Sequence, residues 1–325
     1  MENSEETFSQ LSKPRNPMLD LGILVLFIVM GMFFAQFLGL IAVLPYFDYK
    51  IADLKEAISS PVMSASAKIP MLIIQAFASL CAFIVAPILF HLVYEKDKLQ
   101  ALNIKPKISI PLILTIIVLV IIAMPFNSII IEWNQHWVFP DFMSGFETWA
   151  KDKEKQLEVM TRNLTDLHGT GEFIFGLFVF AILPAIGEEL VFRGIVQKKF
   201  YEASGNIHLA IWCTGFMFSA IHMQFYGLVP RMLLGVMFGY LYYWSKNLSI
   251  PMFAHFVNNG FTVLMLYLRN EGLIDIDIES TDGIPVNAAL SSGLVVSVLL
   301  FGLYWYFAHK QGKPLPKYLK VVFEK

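Results

Sequence analysis

The chain has 325 residues, of which 56% are hydrophobic and 15% charged, with a net charge of −2 and a mean hydropathy of +0.60. Soluble domains carry about 25% charged residues, so this composition excludes a water-soluble globular domain. No basic patch is left over once loop positions are assigned, which excludes a nucleic-acid partner. Cys81 and Cys213 lie far apart in apolar segments and suggest small core residues, not a disulfide framework.

After a polar stretch at 1–20, residues 21–44 are uncharged and exceed the roughly 20 residues needed to cross a bilayer. No small-residue cleavage site follows, so the segment is expected to be a retained span. Residues 45–69 form a polar loop with Ile51, Leu54 and Ile58 at weakly helical spacing, and a second span follows at 70–94. The lysine-rich loop 95–107 leads to a third span at 108–131, where Pro125 predicts a kink. The longest polar segment, 132–171, places Phe146, Trp149, Leu157, Met160, Leu164 and Leu167 on one helical face. That is an amphipathic helix, either an interfacial lid or a solvated helix with one packed face.

Five more spans are expected, at 172–202 with a bend at Pro184, 208–224, 229–244, 250–268 and 287–308. The spacing Gly235-x-x-x-Gly239 in the sixth suits close helix approach. The fold class is thus all-α, a polytopic membrane protein of about eight transmembrane helices. Its expected parts are an N-terminal transmembrane region (1–171), a transmembrane core (172–268), and an acidic loop, last helix and basic tail (269–325). With a cytoplasmic N-terminus, 15 of the 24 Lys and Arg residues fall inside, so both termini are expected to be cytoplasmic.

Glu188 and Glu189 end the uncharged run 173–186. Ionisable groups in such a place are costly and lean functional. Glu189 and Arg193 are four apart with the acid first, a spacing that lets them pair, while Glu188 projects about 100° away and is left for chemistry. His222 and His255 lie in two later apolar runs, and His255 and Asn259 share a helical face on which an imidazole and a carboxamide could bind an oxyanion. A glutamate and two histidines suffice to activate water, with or without a metal.

These residues resemble the motifs of the CPBP intramembrane proteases, which include CAAX prenyl endopeptidases, bacteriocin-processing enzymes and Abi-type proteins. Glu188-Glu189 with Arg193 is similar to the family's Glu-Glu-x-x-x-Arg, Phe218 with His222 to its Phe-x-x-x-His, and His255 with Asn259 to its His-x-x-x-Asn. The resemblance covers about 172–268. It implies an intramembrane endopeptidase in which Glu188 and His222 activate the attacking water, His255 and Asn259 stabilise the oxyanion, and Glu189 and Arg193 brace the site. It leaves two chemistries open: a metalloendopeptidase with a divalent metal such as zinc on Glu188, His222 and His255, or metal-independent glutamate catalysis. No His-Glu-x-x-His or Gly-x-Ser-x-Gly motif is present. The implied partners are a peptide or membrane-protein substrate and the lipid bilayer. Short loops suggest a bacterial member, in the cytoplasmic membrane, for which prenylated substrates are not expected. The competing readings are a non-catalytic membrane scaffold or immunity-type protein of the same fold, and a transporter, which the lack of a visible repeat disfavours.

With the fifth span starting near His208, His222 lies about 21 Å along it, far deeper than Glu188 unless the fourth helix continues beyond the bilayer.

Overall fold

The computed structural model describes residues 16–59, 65–275 and 284–311. Apolar runs in lipid must satisfy their backbone internally, and here they do so as helices. We label them α1 (Pro17–Phe47), α2 (Ile51–Ser59), α3 (Ser66–Tyr94), α4 (Ile110–Gln135), α5 (Ser144–Thr165), α6 (Gly169–Ser204), α7 (Ile207–Ala220), α8 (Phe225–Ser245), α9 (Ser249–Asn270) and α10 (Val286–Lys310). No strand occurs among the described residues. The protein is a polytopic all-α membrane protein.

Each of the eight expected spans has a helix, but they are not equivalent. Six, α1, α3, α4, α6, α8 and α10, are long and apolar enough to cross a bilayer unaided. The other two fall short for separate reasons. α7 has only 14 residues, and α9 carries His255, Asn258 and Asn259 in its middle. Both pack against neighbours, α7 on one face only, with Leu209, Trp212 and Phe216 exposed on the other. The weak pattern at Ile51 and Leu54 is the short α2, and the amphipathic segment is the 22-residue α5.

α6 is the central helix: half of its apolar window is buried in protein, against 17% for α1 and for α10. α1 turns Phe33, Phe34 and Phe37 outward. One cluster joins Leu24 of α1 and Phe90 of α3 to Val191, Phe192 and Ile195 of α6 and Phe218 of α7. A second joins Ile116 and Leu119 of α4 to Phe238 of α8, Ala254 of α9 and Phe307 of α10. The first of these runs across residue 171, so the N-terminal helices are packed into the core. The acids Asp277, Glu279 and Asp282 and the basic tail beyond Gln311 lie outside the described residues.

Small residues permit the tightest approach. A Cβ at Gly215 of α7 would stand 2.7 Å from the Val236 side chain and 3.0 Å from the Met232 carbonyl, and one at Gly235 would meet Phe218 at 3.0 Å. Gly235 and Gly239 therefore serve the contact of α8 with α6 and α7.

Candidate active site

The glutamates sit between two wide, π-type turns of α6, at Phe178–Ile182 and Leu190–Val196. Such turns recur at functional sites because they redirect side chains and free backbone carbonyls. Glu189 is fully buried and paired with Arg193, Nη1 to Oε1 at 2.6 Å. The guanidinium also donates through Nη2 to the Gly235 carbonyl at 2.6 Å. It lies over the rings of Phe218 and Phe238, at 4.9 and 5.5 Å from their centroids.

His255, 3% exposed, stands between the two acids. Its Nδ1 bonds Glu189 Oε1 at 3.0 Å, and its Nε2 faces Glu188 Oε2 at 4.0 Å. Phe238 stacks on the imidazole with centroids 5.2 Å apart. Glu188, with its side chain 15% exposed, is thus the accessible acid of the pair, and Glu189 is engaged on one oxygen by both Arg193 and His255.

His222 lies just beyond α7, its Nδ1 bonded to the Phe218 carbonyl at 2.8 Å. Both imidazoles rest against the Phe218 ring, His222 at 5.5 Å and His255 at 5.8 Å. The depth follows from the α6–α7 hairpin. α6 runs on to Ser204 and α7 starts at Ile207, so Glu188 and His222 both stand roughly 22 to 24 Å from the turn between them at 1.5 Å per residue. Asn259 is held differently from a free oxyanion donor. Its Nδ2 donates to the Phe180 carbonyl, in the first wide turn, at 3.1 Å, and its Oδ1 accepts from Asn258 at 3.0 Å.

Among the described residues, no three His, Cys, Asp or Glu side chains form a metal-ligating group. Glu188, His222 and His255 are not gathered into such a group, while both histidines bond through Nδ1, the arrangement in which Nε2 is the nitrogen left for a ligand.

Three further residues belong to the site. Arg231 of α8 donates to Gln224 Oε1 at 2.7 Å and acts electrostatically on Glu188 and on Glu154 of α5. Asn134, fully buried at the end of α4, donates to the Phe225 carbonyl and accepts from the Val229 N–H, clamping the turn that carries His222. α5 closes over this turn, with Phe146 and Trp149 on the Phe225 ring at 5.0 and 5.7 Å. Burial raises the Glu154 carboxyl above the usual carboxylate range, opposed by the Tyr226 N–H and the charge of Arg231. Arg231 had a legible signal, a lone cation in an apolar run; Asn134 and Glu154 had none, because their partners are distant in sequence.

Residues 170–261 match the family model described as type II CAAX prenyl endopeptidase Rce1-like. The membrane-embedded CAAX protease MroQ of Staphylococcus aureus (strain USA300) is 32% identical over 105 residues, 31% of this chain and 42% of that protein. The uncharacterized protein YpbD of Bacillus subtilis (strain 168) is 32% identical over 80 residues, 23% of this chain and 38% of that protein. The matched region thus spans less than half the length of these relatives. No solved structure matches. The matched segment holds Glu188, Glu189, Arg193, His222, His255 and Asn259, so the part of the chain that carries the candidate site is similar to CAAX-type membrane proteases.

Proposed function

We propose that the protein is a membrane endopeptidase that hydrolyses a peptide bond with water activated by Glu188. The observation that carries this reading is the asymmetry of the acid pair: Glu189 is consumed by Arg193 and His255, while Glu188 faces His255 Nε2 across 4.0 Å. That gap is too long for a direct hydrogen bond and suits an inserted reacting group. Glu188, oriented with His222, takes a proton from water as the water oxygen forms a bond to the scissile carbonyl carbon. The resulting oxyanion is held by His255 and by the second N–H of Asn259, its first being committed to Phe180. Collapse breaks the C–N bond, and the proton on Glu188 passes to the departing amine. Glu189 and Arg193 hold His255 in register. The substrate class is a peptide or membrane-protein segment, and both termini face the cytoplasm.

The test is cleavage of a fluorogenic peptide library by the full chain in detergent or liposomes. Glu188→Gln is expected to lower turnover by about 10²–10⁴-fold, the usual worth of a general base, with the unfolding midpoint little changed. A chelator arm separates the two chemistries: turnover that survives chelation assigns the step to protein groups, and turnover that is lost and restored by zinc assigns it to a bound metal. Equal cleavage by wild type and Glu188→Gln would remove Glu188 from the chemistry. A wild type silent on the whole library would favour the scaffold or immunity-type reading.

A further inference from the structure

A cavity of about 470 Å³ opens at the lysine-rich end of the bundle, between the start of α4, the α8–α9 turn and the end of α10. Lys105 and Lys107 approach it from the loop before α4, Lys246 from the α8–α9 turn and Lys310 from the end of α10. No acidic residue lines it among the described residues. Its floor is apolar, with Leu112, Ile250 and Phe307. The loop wall is fixed, since the buried Asn247 side chain donates to the Lys105 carbonyl at 3.0 Å and accepts from the Lys105 N–H at 2.9 Å.

A second observation points to an anion. Ser109, which also lines the cavity, is the N-cap of α4, yet its side chain makes no capping bond. The first turn of a 26-residue helix, in which Pro111 has no N–H and Ile113 bonds the Ser109 carbonyl, therefore ends at this cavity with no side-chain acceptor from its cap. Ordinary cytoplasmic lysines scatter over loops; these converge from three elements on one concave site. The basic tail beyond Gln311 would add to the positive charge and not neutralise it. Along α4, the neighbouring outward side chains Ile110 and Leu114 are 71% and 56% exposed, an apolar track descending from the charged end.

We infer that this cavity binds the phosphate headgroup of an anionic phospholipid, with the acyl chains lying along α4. The inference is independent of the catalytic reading.

The experiment is native mass spectrometry of the full chain in a nonionic detergent, titrated with phosphatidylglycerol, with phosphatidylcholine of the same acyl chains, and with inorganic phosphate as competitor. Wild type is expected to retain phosphatidylglycerol in preference to phosphatidylcholine. Lys107→Gln/Lys310→Gln is expected to bind it roughly thirtyfold more weakly, from about 1 kcal/mol for each of the two lysines near a lipid surface. Lys96→Gln/Lys98→Gln, which removes as much charge from the same end but outside the cavity, is expected to bind as wild type does. Equal loss in both double variants, or no preference in wild type, would overturn the site. Displacement of phosphatidylglycerol by millimolar phosphate would overturn the lipid as ligand in favour of a free phosphate. Should the double variant fail to fold, Lys310→Gln alone is expected to show a smaller loss, and its binding as wild type would equally overturn the proposal.

Discussion

Arg193 shows how one acid of the pair can be held by the fold while its neighbour stays accessible. Its guanidinium reaches Glu189 and the Gly235 carbonyl at once and lies over two phenyl rings, a task that a lysine's single ammonium cannot reproduce. Removing it leaves Glu189 buried and uncompensated, so Arg193→Ala is expected to cost about 3–5 kcal/mol. Glu189→Gln, which retains a polar acceptor for Arg193 and His255, is expected to cost less. Thermal unfolding in detergent ranks the two variants; a reversed order would show that Arg193 is not the group that stabilises the buried acid. The Glu189–Arg193 pair was legible because both residues lie on one helix four apart. That Asn259 spends one N–H on Phe180 was not, because the carbonyl is freed by a wide turn that no residue pattern announces.

At the scale of elements, α5 is the amphipathic segment that the sequence left between two uses. The structure seats its aromatic face on the 225–227 turn beside His222, and Glu154 goes under with it, one oxygen buried without a hydrogen-bond partner among the described residues. Because burial raises this carboxyl in the folded state, the folded protein holds its proton more tightly than the unfolded chain. Stability must then fall as pH rises from the usual carboxylate range through the raised folded pKa. Glu154→Gln is expected to raise the unfolding midpoint at neutral pH, with the gain vanishing near pH 4, where the native carboxyl is protonated. Midpoints measured at pH 4 and pH 7 check this, and an equal difference at both would rule out the proton as its cause.

For the whole molecule, the decisive contacts are those that tie the N-terminal helices to α6. Lys199 of α6 reaches Asp20 of α1 at 3.0 Å and Glu95 at the end of α3 at 2.8 Å. Tyr94 donates to Asp20 at 2.9 Å, and His91 joins Glu95 at 2.8 Å. Asp20 is 1% exposed, so Lys199→Met would strand a buried carboxylate. A loss of about 3 kcal/mol or more is expected. Asp20→Asn added to Lys199→Met should restore part of it, a coupling that a double-mutant cycle on unfolding midpoints measures. Additive losses would show the two side chains to be energetically independent.

Hydropathy and spacing on single helices settled a great deal: the all-α membrane class, eight helical segments near their observed bounds, the Glu189–Arg193 pair and the exclusion of Glu188 from that pair. Each is a property of one continuous stretch, and lipid forces such a stretch to satisfy its own backbone. The tertiary structure alone decided what depends on two or more helices meeting. The packing of α6, α7 and α9 brings His222 and His255 against one Phe218 ring, and Asn134 clamps a turn 91 residues away. The same holds for four lysines from three elements around one cavity. Such contacts arise from packing across sequence distance, for which periodicity carries no signal.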